Sequence, residues 1–184
     1  LAAEQGLDAE ILPAEGIQAA YDSGFVLGHG TEADFWSLLR QRTSLTGDDD
    51  KLREKILSGF VIRPWMIDIV VELGAAGYVT GILSDQTHWL DTLDESNHFF
   101  EMFDCIYNSY YLGKGKHDPT LFVDVVKDLE IEPSSVLFVD DDAGNVKRAR
   151  NAGVKAIQYV DQKSFSAEME KMGINLMKTL RSSK

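Results

Sequence analysis

The sequence predicts an α/β protein in which a small all-helical unit precedes a parallel sheet with helices on both faces. Three observations carry this. Four short apolar runs, at Tyr78 to Leu83, Cys105 to Tyr107, Val136 to Val139 and Val154 to Tyr159, have the length of strands. Helix-like stretches separate them, and such alternation gives βα units and parallel pairing. Before residue 64 only helical patterns and polar connections occur.

In the first third, Thr31 followed three residues later by Asp34 is a variant of the capping box. It precedes the stripe Phe35, Trp36, Leu38 and Leu39 on one helical face. Asp48 to Asp50 load the N-terminus of a further helix carrying Leu52, Ile56 and Leu57, where negative charge is favoured. Arg63-Pro64 marks the exit, since proline suits the first turn of the next helix. That helix, through Trp65 to Leu73, ends in Gly74-Ala75-Ala76-Gly77, and the first strand closes at Ser84. Asp118 with Pro119 is expected to cap a helix covering Leu121 to Leu129, and a last assigned helix runs from Asn145 to about Ala152, stopped by Gly153. Met102, Phe99, Phe100 and Phe103 read as core. The chain has no internal repeat.

At 184 residues, with 44% apolar and 26% charged, the composition is that of an ordinary globular protein, of one domain or one with a small accessory unit. The net charge of −12 repels nucleic acid and anionic membranes, so neither is an expected partner. One cysteine, Cys105, excludes an internal disulfide and favours a reducing compartment. No run approaches ~18 apolar residues and no signal-peptide pattern opens the chain, so a cytoplasmic protein is expected.

In an open parallel sheet, ligands bind outside the carboxyl ends of the strands. Ser84 closes one strand and offers a hydroxyl. Lys116, in LGKGKHDP, supplies a cation on a glycine-rich loop. Asp140 and Asp141 close VLFVDD and are hard oxygen ligands suited to Mg²⁺. Three adjacent acids behind an apolar run need a nearby cation. Each group has a plainer reading: Ser84 as a cap, Lys116 as a solvated loop residue, the acids as caps of the next helix. His88 and Trp89 sit where a cleft would be lined, though packing or solvent accounts for them as well. The ordered set of Ser, Lys and an Asp pair raises the functional reading above these.

That ordered set resembles the haloacid dehalogenase superfamily of phosphohydrolases. Leu83-Ser84-Asp85 is similar to its second motif, Lys116-His117-Asp118-Pro119 to its third, and Val139-Asp140-Asp141 through Asn145 to its fourth. Residues 1–63, with GHGTEADFW, resemble the helical cap of the branch that includes sugar-phosphate phosphatases and epoxide hydrolase N-terminal domains. The resemblance implies a Rossmann-like core over residues 64–184. It implies that Ser84 binds the transferring phosphoryl group and that Lys116 balances its charge and orients the nucleophile. Asp140 and Asp141 would hold Mg²⁺, with Asn145 behind them and Asp85 beside the substrate. The chain departs from the family in having Asp85 where many relatives have Asn. It also lacks the family's Asp-x-Asp behind a first strand, since LAAEQGLDAE already resembles the cap. The expectation is therefore a Mg²⁺-dependent phosphatase of a small phosphorylated metabolite, working through an aspartyl phosphate. Its nucleophile would lie in a further N-terminal segment of ~15–20 residues. The alternatives are a non-catalytic phosphate- or partner-binding module and a metal-independent 2-haloacid dehalogenase. The consecutive acids count against the last.

Overall fold

The computed structural model describes residues 1–174. By compactness the chain falls into two units, Leu1–Arg63 with Gly81–Gly115, and Pro64–Thr80 with the chain from Lys116 onward. Each is an α/β unit holding, among the described residues, one pair of parallel strands.

In the first unit, α1 (Ile11–Asp22), α2 (Glu32–Thr43) and α3 (Asp49–Leu57) precede β1 (Gly81–Ser84), α5 (Trp89–Asn97), β2 (Cys105–Asn108) and α6 (Ser109–Leu112). The start of α2 is a full capping box: Asp34 N–H donates to the Thr31 hydroxyl, and the Asp34 carboxylate accepts from the Thr31 N–H at 3.0 Å. Asp48 caps α3 by accepting from the Lys51 N–H. Their apolar faces meet in a core of Phe25, Phe35, Trp36, Leu39, Leu52 and Trp89. The rings of Phe35, Trp36 and Trp89 pack at 4.7–5.8 Å between centroids. Gly30 is obligatory: a Cβ there would stand 1.8 Å from the Ser23 carbonyl oxygen.

In the second unit, α4 (Pro64–Ala75) is followed, beyond Lys116, by α7 (Leu121–Asp128), β3 (Leu137–Asp140), α8 (Ala143–Asn151), β4 (Lys155–Gln158) and α9 (Gln162–Lys171). Ile69, Ile157, Phe165 and Met169 form its core, with Trp65 stacked on Tyr159.

β1 pairs with β2 in parallel, Leu83 opposite Tyr107, across the α5 crossover. β3 pairs with β4, Val139 opposite Ile157, across α8. All four expected strands exist and the pairing is parallel, but they form two sheets of two strands rather than one sheet. The first strand is also shorter than its apolar run. Gly77, at φ +88°, turns the chain, and Tyr78 and Val79 are exposed before pairing starts at Gly81. α7 begins at Leu121, not at Pro119. Asp118 instead accepts from the backbone N–H and hydroxyl of Thr120 in the turn before it. The aromatic cluster expected in the core is only half-buried at Phe99, Phe100 and Phe103, and Met102 is exposed. None of the helices among the described residues is long and apolar enough to cross a membrane.

Several carboxylates are held below the usual aspartate range. The Thr31 hydroxyl does this at Asp34, and backbone N–H groups do it at Asp8 (Ile11) and Asp161 (Ser164). A depressed folded-state pKa contributes stability above the unfolded value, about 4, that is lost as pH falls through the folded value. The thermal midpoint is therefore expected to hold from pH 7 to about 5 and to fall below about pH 4. An Asp34→Ala, Asp161→Ala double variant should have a shallower acid limb in a pH series of melts. An unchanged limb would mean that these caps do not set the acid dependence.

Candidate active site

The three acids closing β3 take three different roles. Asp142 is the N-cap of α8, its carboxylate accepting from the Asn145 N–H at 2.6 Å. Asp141 is exposed, and its carbonyl accepts from the Gln158 amide. Asp140 turns inward, its side chain only 6% exposed. One of its oxygens, Oδ1, accepts from the Asp142 N–H at 2.8 Å and from Asn145 Nδ2 at 3.1 Å; the other, Oδ2, accepts from Lys116 Nζ at 2.7 Å. The Asn145 amide is held in turn by Arg148, whose guanidinium donates to its oxygen at 2.6 Å. The cation expected beside the acids is thus Lys116, and the helix-capping reading holds for Asp142 alone.

Lys116 departs from its expected setting on an exposed loop edge. Its side chain is 12% exposed, and its ammonium also lies over the Phe138 ring at 5.7 Å from the centroid. Phe138, on β3, is fixed against Phe122 of α7. A charge held this far from water needs a hydrogen-bonding partner, and Asp140 supplies one.

In the first unit Ser84 ends β1 opposite Asn108. Asp85 follows it, and its carboxylate accepts from the Tyr21 hydroxyl at 2.5 Å, joining the loop after β1 to α1. Gly115 comes so close that a Cβ there would lie 3.1 Å from the Tyr21 oxygen and 3.2 Å from Asp85. Neither Tyr21 nor Gly115 stands out in the sequence as a site residue. Gly115 has a signal, the glycine spacing of LGKGK, but Tyr21 lies 64 residues from its partner and has none. Trp89 is buried, its indole N–H donating to Glu32 at 3.2 Å. The His88 ring packs on Phe25 and Tyr110, with its Nε2 3.9 Å from the Glu32 carboxylate.

Among the described residues no group of three or more His, Cys, Asp or Glu is gathered to hold a metal. Asp140 and Asp141 nevertheless suit Mg²⁺, which keeps several waters and takes one or two carboxylates plus substrate phosphate oxygens.

The sequence model of the haloacid dehalogenase-like hydrolases matches residues 5–153. The chain is 25% identical over 129 residues to Flavin mononucleotide hydrolase 1 of Arabidopsis thaliana, covering 70% of this chain and 53% of that protein. It is 38% identical over 55 residues to D-ribitol-5-phosphate phosphatase of Bacteroides thetaiotaomicron, covering 30% of this chain and 27% of that one. The chain thus spans about half, or less, of the length of these relatives. Its fold matches a HAD family enzyme from Bacteroides thetaiotaomicron solved in complex with magnesium and inorganic phosphate, with a TM-score of 0.64 at 22% identity over 86% of this chain and 91% of that one.

Proposed function

This chain belongs to the haloacid dehalogenase-like hydrolases, and we propose that it is the greater part of a Mg²⁺-dependent phosphatase acting on a small phosphorylated metabolite. We take residues 1–63 as its helical cap and 64–184 as its core. One observation carries the reading: a lysine and an aspartate, both largely withdrawn from water, meet at 2.7 Å at the end of a strand, beside Asp141 and Asn145. Burying a charged pair is unfavourable unless geometry repays it, and such pairs gather at functional sites. Relatives named as a flavin mononucleotide hydrolase and a ribitol phosphate phosphatase support phosphate esters as substrates, and the magnesium and phosphate of the Bacteroides enzyme support the cofactor.

In this proposal Asp140 and Asp141 hold Mg²⁺, which when bound offsets charge on the phosphoryl oxygens. Lys116 presents its ammonium to the same oxygens and is itself oriented by Asp140. Asn145, gripped by Arg148, fixes the Asp140 carboxylate. Ser84 donates its hydroxyl to the phosphoryl group, and Asp85 lines the substrate's path. The nucleophile is an aspartate of an Asp-x-Asp segment behind a first strand; the two acidic triplets of these 184 residues serve elsewhere, Asp48 to Asp50 opening α3 and Asp140 to Asp142 closing β3. Its carboxylate oxygen attacks phosphorus and the bond from phosphorus to the ester oxygen breaks, the segment's second aspartate giving that oxygen its proton. The same aspartate then takes a proton from the water that cleaves the acyl phosphate and releases inorganic phosphate.

The test is turnover of p-nitrophenyl phosphate by a chain extended upstream through such a segment. Mg²⁺-dependent hydrolysis is expected, abolished by chelation. An extended chain that binds phosphate and never hydrolyses it would replace this reading with the non-catalytic module.

A further inference from the structure

The first unit holds a half-open cavity of about 500 Å³ between α1, α2, α3 and the loop after β1, within the ~300–1,000 Å³ range of small-molecule sites. Its wall is apolar, with Leu12, Ile17, Phe25, Phe35, Leu39 and Trp89 prominent. Most of the polar groups that line it, on Tyr21, Asp85, Gln86, Thr87 and Trp89, bond within the protein. Tyr21 donates to Asp85. The Gln86 backbone N–H and carbonyl both meet the Ser109 hydroxyl, and its side-chain oxygen takes the Thr87 N–H. The Thr87 hydroxyl accepts from the Trp89 N–H, and its carbonyl accepts from Asn108. The Trp89 indole N–H goes to Glu32.

A wall this largely apolar discriminates between ligands. Each hydroxyl brought in leaves water without a replacement partner, at a cost of roughly tenfold in affinity, whereas each methylene buried gains roughly fourfold. We propose that this cavity binds the apolar body of an uncharged organic group. On the phosphatase reading above, on which the substrate class rests, the chain prefers phosphate esters of hydrophobic alcohols to those of polyols. The cavity adjoins Asp85, the residue after Ser84, so an alcohol seated there leaves its ester end at the close of β1.

Gly16 supplies the test. It lines the cavity from α1, and nothing lies within 4 Å of where its Cβ would stand. Leucine is a better helix former than glycine, so Gly16→Leu fills the space without weakening the helix; Gly16→Met does so with a more adaptable chain. Titration of the 184-residue chain with 1-octanol, followed by tryptophan fluorescence, should saturate, and ribitol should give no change. Gly16→Leu should weaken octanol binding at least ~10-fold, an effect of the size of two lost methylene contacts, with an unchanged or raised melting temperature. Equal binding of ribitol, or unaltered octanol affinity in both Gly16 variants, would overturn the proposal. So would octanol binding that vanishes once the chain is extended upstream of Leu1, because the chain's own segment would then be the occupant. In the extended chain, octyl phosphate should exceed ribitol 5-phosphate in kcat/KM by at least ~100-fold, given the cost of burying several hydroxyls. If octanol binds and neither ester is hydrolysed, the phosphatase reading fails and the cavity assignment stands. If both esters are hydrolysed equally and octanol does not bind, the cavity assignment fails and the phosphatase reading stands.

Discussion

Lys116→Met, made in a chain that carries the nucleophile, is expected to lower turnover of p-nitrophenyl phosphate by about three orders of magnitude, the loss that follows removal of a preorganised charged donor. A lysine on an exposed loop edge, as the sequence suggests, could be replaced without harm to the structure. The geometry says otherwise. Lys116 is 12% exposed and Asp140 6% exposed, so the methionine leaves a carboxylate largely out of water with, among the described residues, only the Asp142 and Asn145 N–H groups to answer it. Breaking such a pair from one side costs about 3 kcal/mol or more. The two losses separate by experiment. Turnover is measured well below the variant's own melting midpoint and referred to its folded fraction, and stability is measured by urea denaturation. A loss of turnover smaller than threefold under those conditions would make the lysine purely structural. A variant as stable as the parent would mean that Asp140 is balanced by other groups.

The sequence revealed pattern more readily than partnership. The capping box at Thr31 and Asp34 and the four strands are local: hydrophobic runs and short-range hydrogen bonds dictate them, and they were legible for that reason. The candidate residues were sought at strand ends because a parallel sheet puts its chemistry there, and Ser84 and Asp140 do end β1 and β3. Burial was not legible at Lys116, since a lysine next to a glycine in a polar stretch reads as solvated. Its burial depends on Phe138 and Asp140, more than twenty residues away. The same limit hid Tyr21 behind Asp85. In each case a residue far off in sequence supplies the charge or hydroxyl that makes the local choice stable. The division of the strands into two pairs, with no ladder between Leu83 and Val139, falls where the resemblance puts the family's first strand; apolar runs alone specify that a strand forms without specifying its neighbour.

Asp140→Asn is expected to weaken Mg²⁺ binding about 100-fold or more, beyond the 10–100-fold typical of losing a group behind a ligand, and to destabilise the second unit as well. Asparagine keeps the shape and loses the symmetry of the carboxylate. In the parent one oxygen faces two N–H donors and the other faces the Lys116 ammonium. Whichever way the amide is turned, its NH₂ confronts a donor, so one buried contact becomes repulsive at a cost of ~1–3 kcal/mol. Asp141→Asn is the control, because that side chain is exposed and the carbonyl, not the carboxylate, meets Gln158. It should weaken Mg²⁺ binding and leave the urea midpoint within experimental error. Calorimetric titration of Mg²⁺ into the extended chain and both variants gives the affinities. Adding Lys116→Met to Asp140→Asn removes the facing ammonium and should recover much of the lost stability, but none of the metal affinity. Equal Mg²⁺ affinity in the parent and in both single variants would end the metal assignment for this strand end. A double variant no more stable than Asp140→Asn alone would show that the Lys116 contact does not hold the site together.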